Sequence, residues 1–190
     1  AGVDDLLEEI NDQMSTYRKD SELSRFNRHP STEWFPASND TVHVVARALE
    51  FAADSGGAFE PTVGRLVKLW GFGPEPRADA APSVAAVEKA LAHVGYKKVE
   101  TRSSPPSLRK TDPGVELDLS AIAKGFAVDR VAEYLTAAGI ADFMVEIGGE
   151  VRVSGQRSDG DEWRIGVESP TTGARRGGWM LPLTDLSLAT

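Results

Sequence analysis

Phe143, Val145 and Ile147 fall on every second residue, Gly148-Gly149 interrupts, and Val151 and Val153 resume the alternation. Strands this close in sequence are antiparallel neighbours, because a parallel crossover needs a dozen or more residues. The run Glu146-Ile147-Gly148-Gly149-Glu150 reads as paired strands with a bulge, at a place where another chain segment or a ligand comes close. Strand patterns recur at Trp163 to Glu168 and Met180 to Leu188, over Val115 to Leu119, and as a pair around an exposed turn at Ser103 to Pro106.

Helical spacing appears between these strands. Val3, Leu6, Leu7, Ile10 and Met14 make one apolar face, with acid in the first turn where the dipole prefers it. Val44, Val45, Ala48 and Ala52 make another, over about 41–55, closed by Gly56-Gly57. A third helix is expected within Phe59 to Gly73, with Pro61 at its first position and Val63, Leu66, Val67 and Trp70 inward. Others are expected over about 84–93 and from Gly125 to Gly139. Residues 15–36 lack periodicity and predict a long ordered loop, and residues 74–82 a spacer. Mixed helices and hairpin-like strands predict an α+β fold, a mixed and largely antiparallel sheet with packed helices, rather than a doubly wound sheet. No solenoid repeat is present.

The 190 residues suit one domain or one and a fraction. A net charge of −8 leaves no broad basic face, which argues against extended nucleic-acid binding and still allows a small phosphate ligand. With no cysteine, disulfides, thiol catalysis, zinc ribbons and iron–sulfur clusters are excluded. No stretch approaches the roughly 18 apolar residues of a membrane span, and no signal-peptide pattern is seen. The chain opens inside a helical pattern and stops at Thr190 after an apolar run, so it reads as a piece of a longer protein.

Four segments could carry chemistry. In Leu117-Asp118-Leu119-Ser120-Ala121-Ile122-Ala123-Lys124-Gly125 a strand ends in an acid and a lysine opens a helix, where unpaired N–H groups and a positive dipole end could hold a pyrophosphate. Equally, Asp118 and Lys124 could merely cap and solvate the junction. In Gly57-Ala58-Phe59-Glu60-Pro61-Thr62-Val63-Gly64, Glu60 could accept from a ribose or a base, or sit in an N-cap region packed on the core. Leu69-Trp70-Gly71-Phe72-Gly73 reads as core. In residues 14–27, Tyr17 could stack on a flat ring and Arg25 or Asn27 hydrogen-bond one, or the loop could be tied by its own polar groups. The fourth is the Gly148-Gly149 run. His29, His43 and His93 lack metal-ligand spacing and suit surface or capping roles.

Taken together and in order, MSTYRKDSELSRFN at 14–27, GAFEPTVGRLVKLWGFGP at 57–74, LDLSAIAKGFAVD at 117–129 and FMVEIGGEVRVSG at 143–155 resemble the ApbE family of FAD:protein FMN transferases. The resemblance implies a T-fold-like architecture of which 1–190 is the N-terminal part, truncated at both ends. It implies FAD contacts from Tyr17, Ala58, Phe59, Glu60, Asp118 and Lys124, and an Mg²⁺ ligand from Ala121, by its backbone carbonyl. The family's catalytic histidine and remaining metal ligands are expected beyond Thr190, and a Met-Gly-Thr flavin contact before Ala1. The implied reaction moves FMN from FAD to a threonine of an acceptor protein and releases AMP. The alternatives are a FAD pyrophosphatase giving FMN and AMP, a FAD-binding protein, and a structural domain without ligand. Flavin-bearing subunits of membrane redox complexes are the implied acceptors, and a lipid-anchored periplasmic location is implied for the parent protein. The chain has no acceptor sequence of its own, so it resembles the donor side.

Overall fold

A computed structural model describes residues 2–74, 80–167 and 179–189. Most of the expected spacer and the expected strand end at Glu168 lie outside these residues. The chain divides into two compact units, Leu7–Ala123 and Ala1–Leu6 with Lys124–Thr190.

Helix α1 (Val3–Met14) contains the first boundary between the units, and its part in the larger unit buries Ile10 and Met14, as its spacing predicts. The expected loop that follows contains a helix, α2 (Glu22–Arg28), with Leu23 and Phe26 buried. Seven residues are too few for a periodic signal, and the local one is its N-cap: the Ser21 hydroxyl accepts from Ser24 N at 3.0 Å. A two-residue strand β1 (Phe35–Pro36) leads to α3 (Asn39–Asp54), whose N-cap Ser38 also donates its N–H and hydroxyl to the Glu22 carboxylate, both at 2.9 Å. Val44, Val45, Ala48 and Ala52 are buried on α3, and Gly56 and Gly57 close it with φ of +63° and +87°.

Helix α4 spans only Gly64–Leu69. The expected start at Pro61 fails because residues 60–62 form a polar turn around Glu60, and the expected inward Trp70 is 42% exposed. After α5 (Val84–Leu91), capped by Ser83, a short 3-10 turn at Tyr96–Lys98 enters β2 (Val99–Ser103) and β3 (Pro106–Lys110). This is the expected pair, and the antiparallel sheet runs β1-β3-β2. Val115, Leu117 and Leu119 are fully or almost fully buried, in line with their alternation, but Val115 to Leu119 forms no sheet strand. It makes a parallel bridge between Val63 and Glu116, Asp118 N donates to Pro61 O at 2.8 Å and Val115 N to Asp112 O at 3.0 Å, and side chains pair with Leu117 N and O and with Val115 O.

Helix α6 (Ser120–Ala137) contains the second boundary between the units and starts five residues before the expected Gly125. Asp118 supplies the start by accepting from Ser120 N at 2.8 Å. In the smaller unit β4 (Phe143–Ile147), β5 (Glu150–Ser154) and β8 (Ser187–Leu188) form an antiparallel sheet in that order, and β6 (Trp163–Val167) pairs with β7 (Trp179–Leu183). Every residue of β4 pairs with one of β5, down to Ile147 with Glu150, so the expected bulge is instead a two-residue hairpin turn. Gly148 and Gly149 both take positive φ there, +58° and +95°. Val151, Val153 and Leu183 centre this unit's core, packed on by Trp163, Ile165, Leu181 and Leu188. No described helix is long and apolar enough to cross a membrane.

Candidate functional site

The loop after α1, α2, α4 and the segment before α6 enclose a cleft of about 630 Å³ in the larger unit. A volume of this order suits a small-molecule site. Tyr17 and Asp118, both singled out from sequence, line it together, and the Tyr17 ring is 67% exposed. Lys19, Asp20, Asn27, Arg28 and Lys68 also face the cleft, with Gly64 and Gly73 as small wall residues.

Two buried side chains fix the walls. Asn27 lines the cleft, yet its amide is spent on the backbone, donating to Leu117 O and accepting from Leu117 N, each at 2.8 Å. This meets the needs of an extended segment as a neighbouring strand would. Lys110, 1% exposed, donates to Asn27 O at 2.9 Å and Val115 O at 3.2 Å, and its ammonium lies 5.4 Å from the Phe26 ring centroid. Burial pushes this amine down to about 8, with Glu116 and Asp112 opposing and Arg65 reinforcing the shift. The end of α2 is thereby clasped to residues 115–117, the approach to Asp118.

The α4 wall is set by a close approach. Gly64 N donates to Glu116 O at 3.1 Å, and a Cβ at Gly64 would lie 2.8 Å from that oxygen. The absence of a side chain at Gly64 is thus needed by the chain's own segment. Lys68 on the same helix is paired with Glu116 at 2.6 Å.

Ala58, Phe59 and Glu60 do not line this cleft. Phe59 meets Phe51 edge-on at 6.3 Å, and Glu60 accepts from Thr62 N (3.0 Å), Thr62 Oγ1 (2.6 Å) and Tyr96 N (2.9 Å). The carboxylate therefore ties the 60–62 turn to the 3-10 turn. Arg25 does not line the cleft either. Phe72, read as core with Trp70, is 67% exposed. His29 is the C-cap of α2, and His93 Nδ1 sits 2.9 Å from Asp112, in keeping with capping and surface roles. Burial acts to raise the Asp112 carboxyl, but the His93, Gly114 and Lys98 contacts outweigh it and hold it below the usual carboxylate range.

Lys124 lies in the smaller unit, where Nζ donates to Gly148 O at 2.8 Å and pairs with Glu150 at 3.2 Å. A Cβ on Gly148 would come within 3.1 Å of Lys124 Cδ, so the segment that closely approaches these glycines is this lysine. Ala121 lies in the first turn of α6, where carbonyls belong to the helical ladder. Mg²⁺ requires about six oxygen ligands in octahedral array. Among the described residues no group of three or more His, Asp or Glu gathers to hold a metal, and one helical carbonyl does not make such a site.

Sequence reading missed Lys19, Arg28, Lys68 and Lys110. Lys19 and Arg28 flank the Tyr17 motif and α2, where a cation reads as ordinary surface, and burial of Lys110 depends on contacts more than eighty residues apart in sequence.

A profile of the ApbE family matches residues 1–190. The FAD:protein FMN transferase of Vibrio cholerae is 47% identical over 188 residues, covering 99% of this chain and 56% of the relative, and that of Escherichia coli is 36% identical, covering 83% and 46%. The solved flavin transferase ApbE from Vibrio cholerae superposes with a TM-score of 0.92 at 46% identity, covering 97% of this chain and 59% of that one. The apo flavinyl transferase ApbE of Pseudomonas stutzeri superposes with a TM-score of 0.86 at 35% identity, covering 96% and 56%. The chain thus spans about half the length of the curated relatives it matches, and the mixed helix and antiparallel-sheet fold is the one these structures have.

Proposed function

Because this chain belongs to the ApbE family, we propose that the protein containing it transfers FMN from FAD to a threonine hydroxyl of an acceptor protein. In this reaction the threonine Oγ attacks the FMN phosphorus, the bond to the AMP phosphate breaks, AMP leaves and the hydroxyl proton is given up to a base. The observation that carries the reading is the cleft that brings Tyr17 and Asp118 together, two positions at which the family resemblance implies flavin contact. Tyr17 offers an exposed ring for a flat ligand, and Asp118 offers an acceptor at the head of α6. Ala58, Phe59, Glu60 and Lys124 are proposed as further FAD contacts on resemblance alone. The same resemblance supports Mg²⁺ dependence with Ala121 as one ligand, acceptors among subunits of membrane redox complexes, and a lipid-anchored periplasmic location.

The test is to incubate the full-length protein with FAD, Mg²⁺ and a threonine-containing acceptor, and to measure the acceptor's mass and the released nucleotide. A gain of one FMN, with AMP released and both abolished by chelator, supports transfer. AMP with free FMN reassigns the protein as a FAD pyrophosphatase, and bound FAD without AMP as a flavin carrier.

A further inference from the structure

The polar groups around the cleft divide sharply into those the protein itself uses and those it does not. Asn27 is spent on Leu117, Lys68 on Glu116, Ser24 on Ser21 and Ser15, and one oxygen of Asp118 on Ser120 N. Arg18, in the same loop as Tyr17, is held by Glu8 at 2.7 Å and Asp12 at 2.6 Å and does not line the cleft. Lys19 and Arg28 differ: both are exposed, both line the cleft, and neither side chain makes a hydrogen bond or ion pair among the described residues. Asp20, between them in sequence, is likewise exposed and lines the cleft. Two uncommitted cations in the lining of one cleft offer charged donors to an anionic group, beside the carboxylates of Asp20 and Asp118.

The geometry points to Lys19 and Arg28 as the residues that hold a phosphate of the cleft's ligand, with Asp20 accepting from a hydroxyl of the attached sugar. The ligand class is a sugar phosphate ester carrying a flat ring for Tyr17. Arg28 offers a fork of donors matched to phosphate oxygens, and Lys19 a mobile point charge. This rests on the reading of the cleft as a flavin site and deepens it: the two cations would select phosphorylated flavins over the bare ring system.

The experiment titrates FAD, FMN and riboflavin into the full-length protein by flavin fluorescence, at low and high salt, for the wild type and for Lys19→Gln, Arg28→Gln and the double variant. Both side chains are exposed, so the variants are expected to fold, and their thermal unfolding is recorded as a check. The expected result is a loss of at least about tenfold in FAD affinity for each single variant, the equivalent of one charge-assisted hydrogen bond. The salt dependence should flatten as well, and riboflavin affinity should stay unchanged. FAD affinity equal to wild type in the double variant overturns the proposal, as does an equal loss for FAD and riboflavin. A wild-type protein that binds no flavin refutes the underlying reading of the cleft instead.

Discussion

Replacing Lys110 by methionine isolates the energetics of the clasp behind the cleft. The amine titrates at about 8 in the fold against its ordinary 10.5. At ~1.36 kcal/mol per pKa unit, its buried charge opposes folding by roughly 3 kcal/mol at neutral pH. The folded pKa is the depressed one, so below about pH 8 both states hold the proton and the penalty is fully present. Between the two values the unfolded chain binds more protons, so stability rises with pH. From pH 7 to pH 10 the wild type should gain roughly 2–3 kcal/mol relative to Lys110→Met, since every other titration is common to both. Methionine removes the penalty but leaves Asn27 O and Val115 O without their donor, each worth about 1–3 kcal/mol. The variant should therefore match the wild type within about 3 kcal/mol at pH 7 and be weaker relative to it by roughly a further 2–3 kcal/mol at pH 10, where the neutral amine still donates. Urea unfolding of both proteins at several pH values between 7 and 10 measures this. Stability curves that run parallel across that range would refute the reasoning.

Asn27→Ala strips both polar groups of buried Leu117 of their partner and should cost roughly 2–5 kcal/mol in chemical denaturation, with Asn27→Asp intermediate because the acceptor to Leu117 N survives. Gly148→Ala forces a side chain into positive φ against the Lys124 stem and should cost about 1–2 kcal/mol, read as a lower urea midpoint. Asp118→Ala and Lys124→Ala in the full-length protein should weaken FAD binding without unfolding it, Asp118→Ala also losing about 1 kcal/mol with its contact to Ser120 N. Unchanged affinity in both would remove this turn from the flavin site.

What the sequence showed plainly was periodicity. The α3 face, the pair around Ser103 to Pro106 and the β4–β5 hairpin follow from spacing, because burial on one face is what spacing records. What it hid was pairing. Residues 115–119 alternate like a strand, and only the folded chain shows that Asn27 and Pro61 O, rather than a neighbouring strand, take up their hydrogen bonds. The short α2 escaped for want of length, and α6 began early because a carboxylate two residues before Ser120 can open a helix that the apolar pattern does not yet mark. At the cleft, Tyr17 and Asp118 were legible as side chains a ligand could meet, and the fold places both in its lining. Glu60 was legible only as a polar residue beside a turn, and its bonds to Thr62 and Tyr96 could not be read from the letters.

The Asn27 clasp changes what genetic variation at one codon means. Sheet backbones pair through atoms that every residue except proline carries, so most substitutions leave the ladder intact. Here the partner of a backbone segment is a side-chain amide, and the segment is held by the identity of residue 27. Glutamine overshoots by one methylene, and serine is too short to reach both groups at once. A saturation scan would thus flag position 27 as sharply as a ligand contact, and a clinician or engineer ranking such a map would mistake an architectural residue for a reactive one.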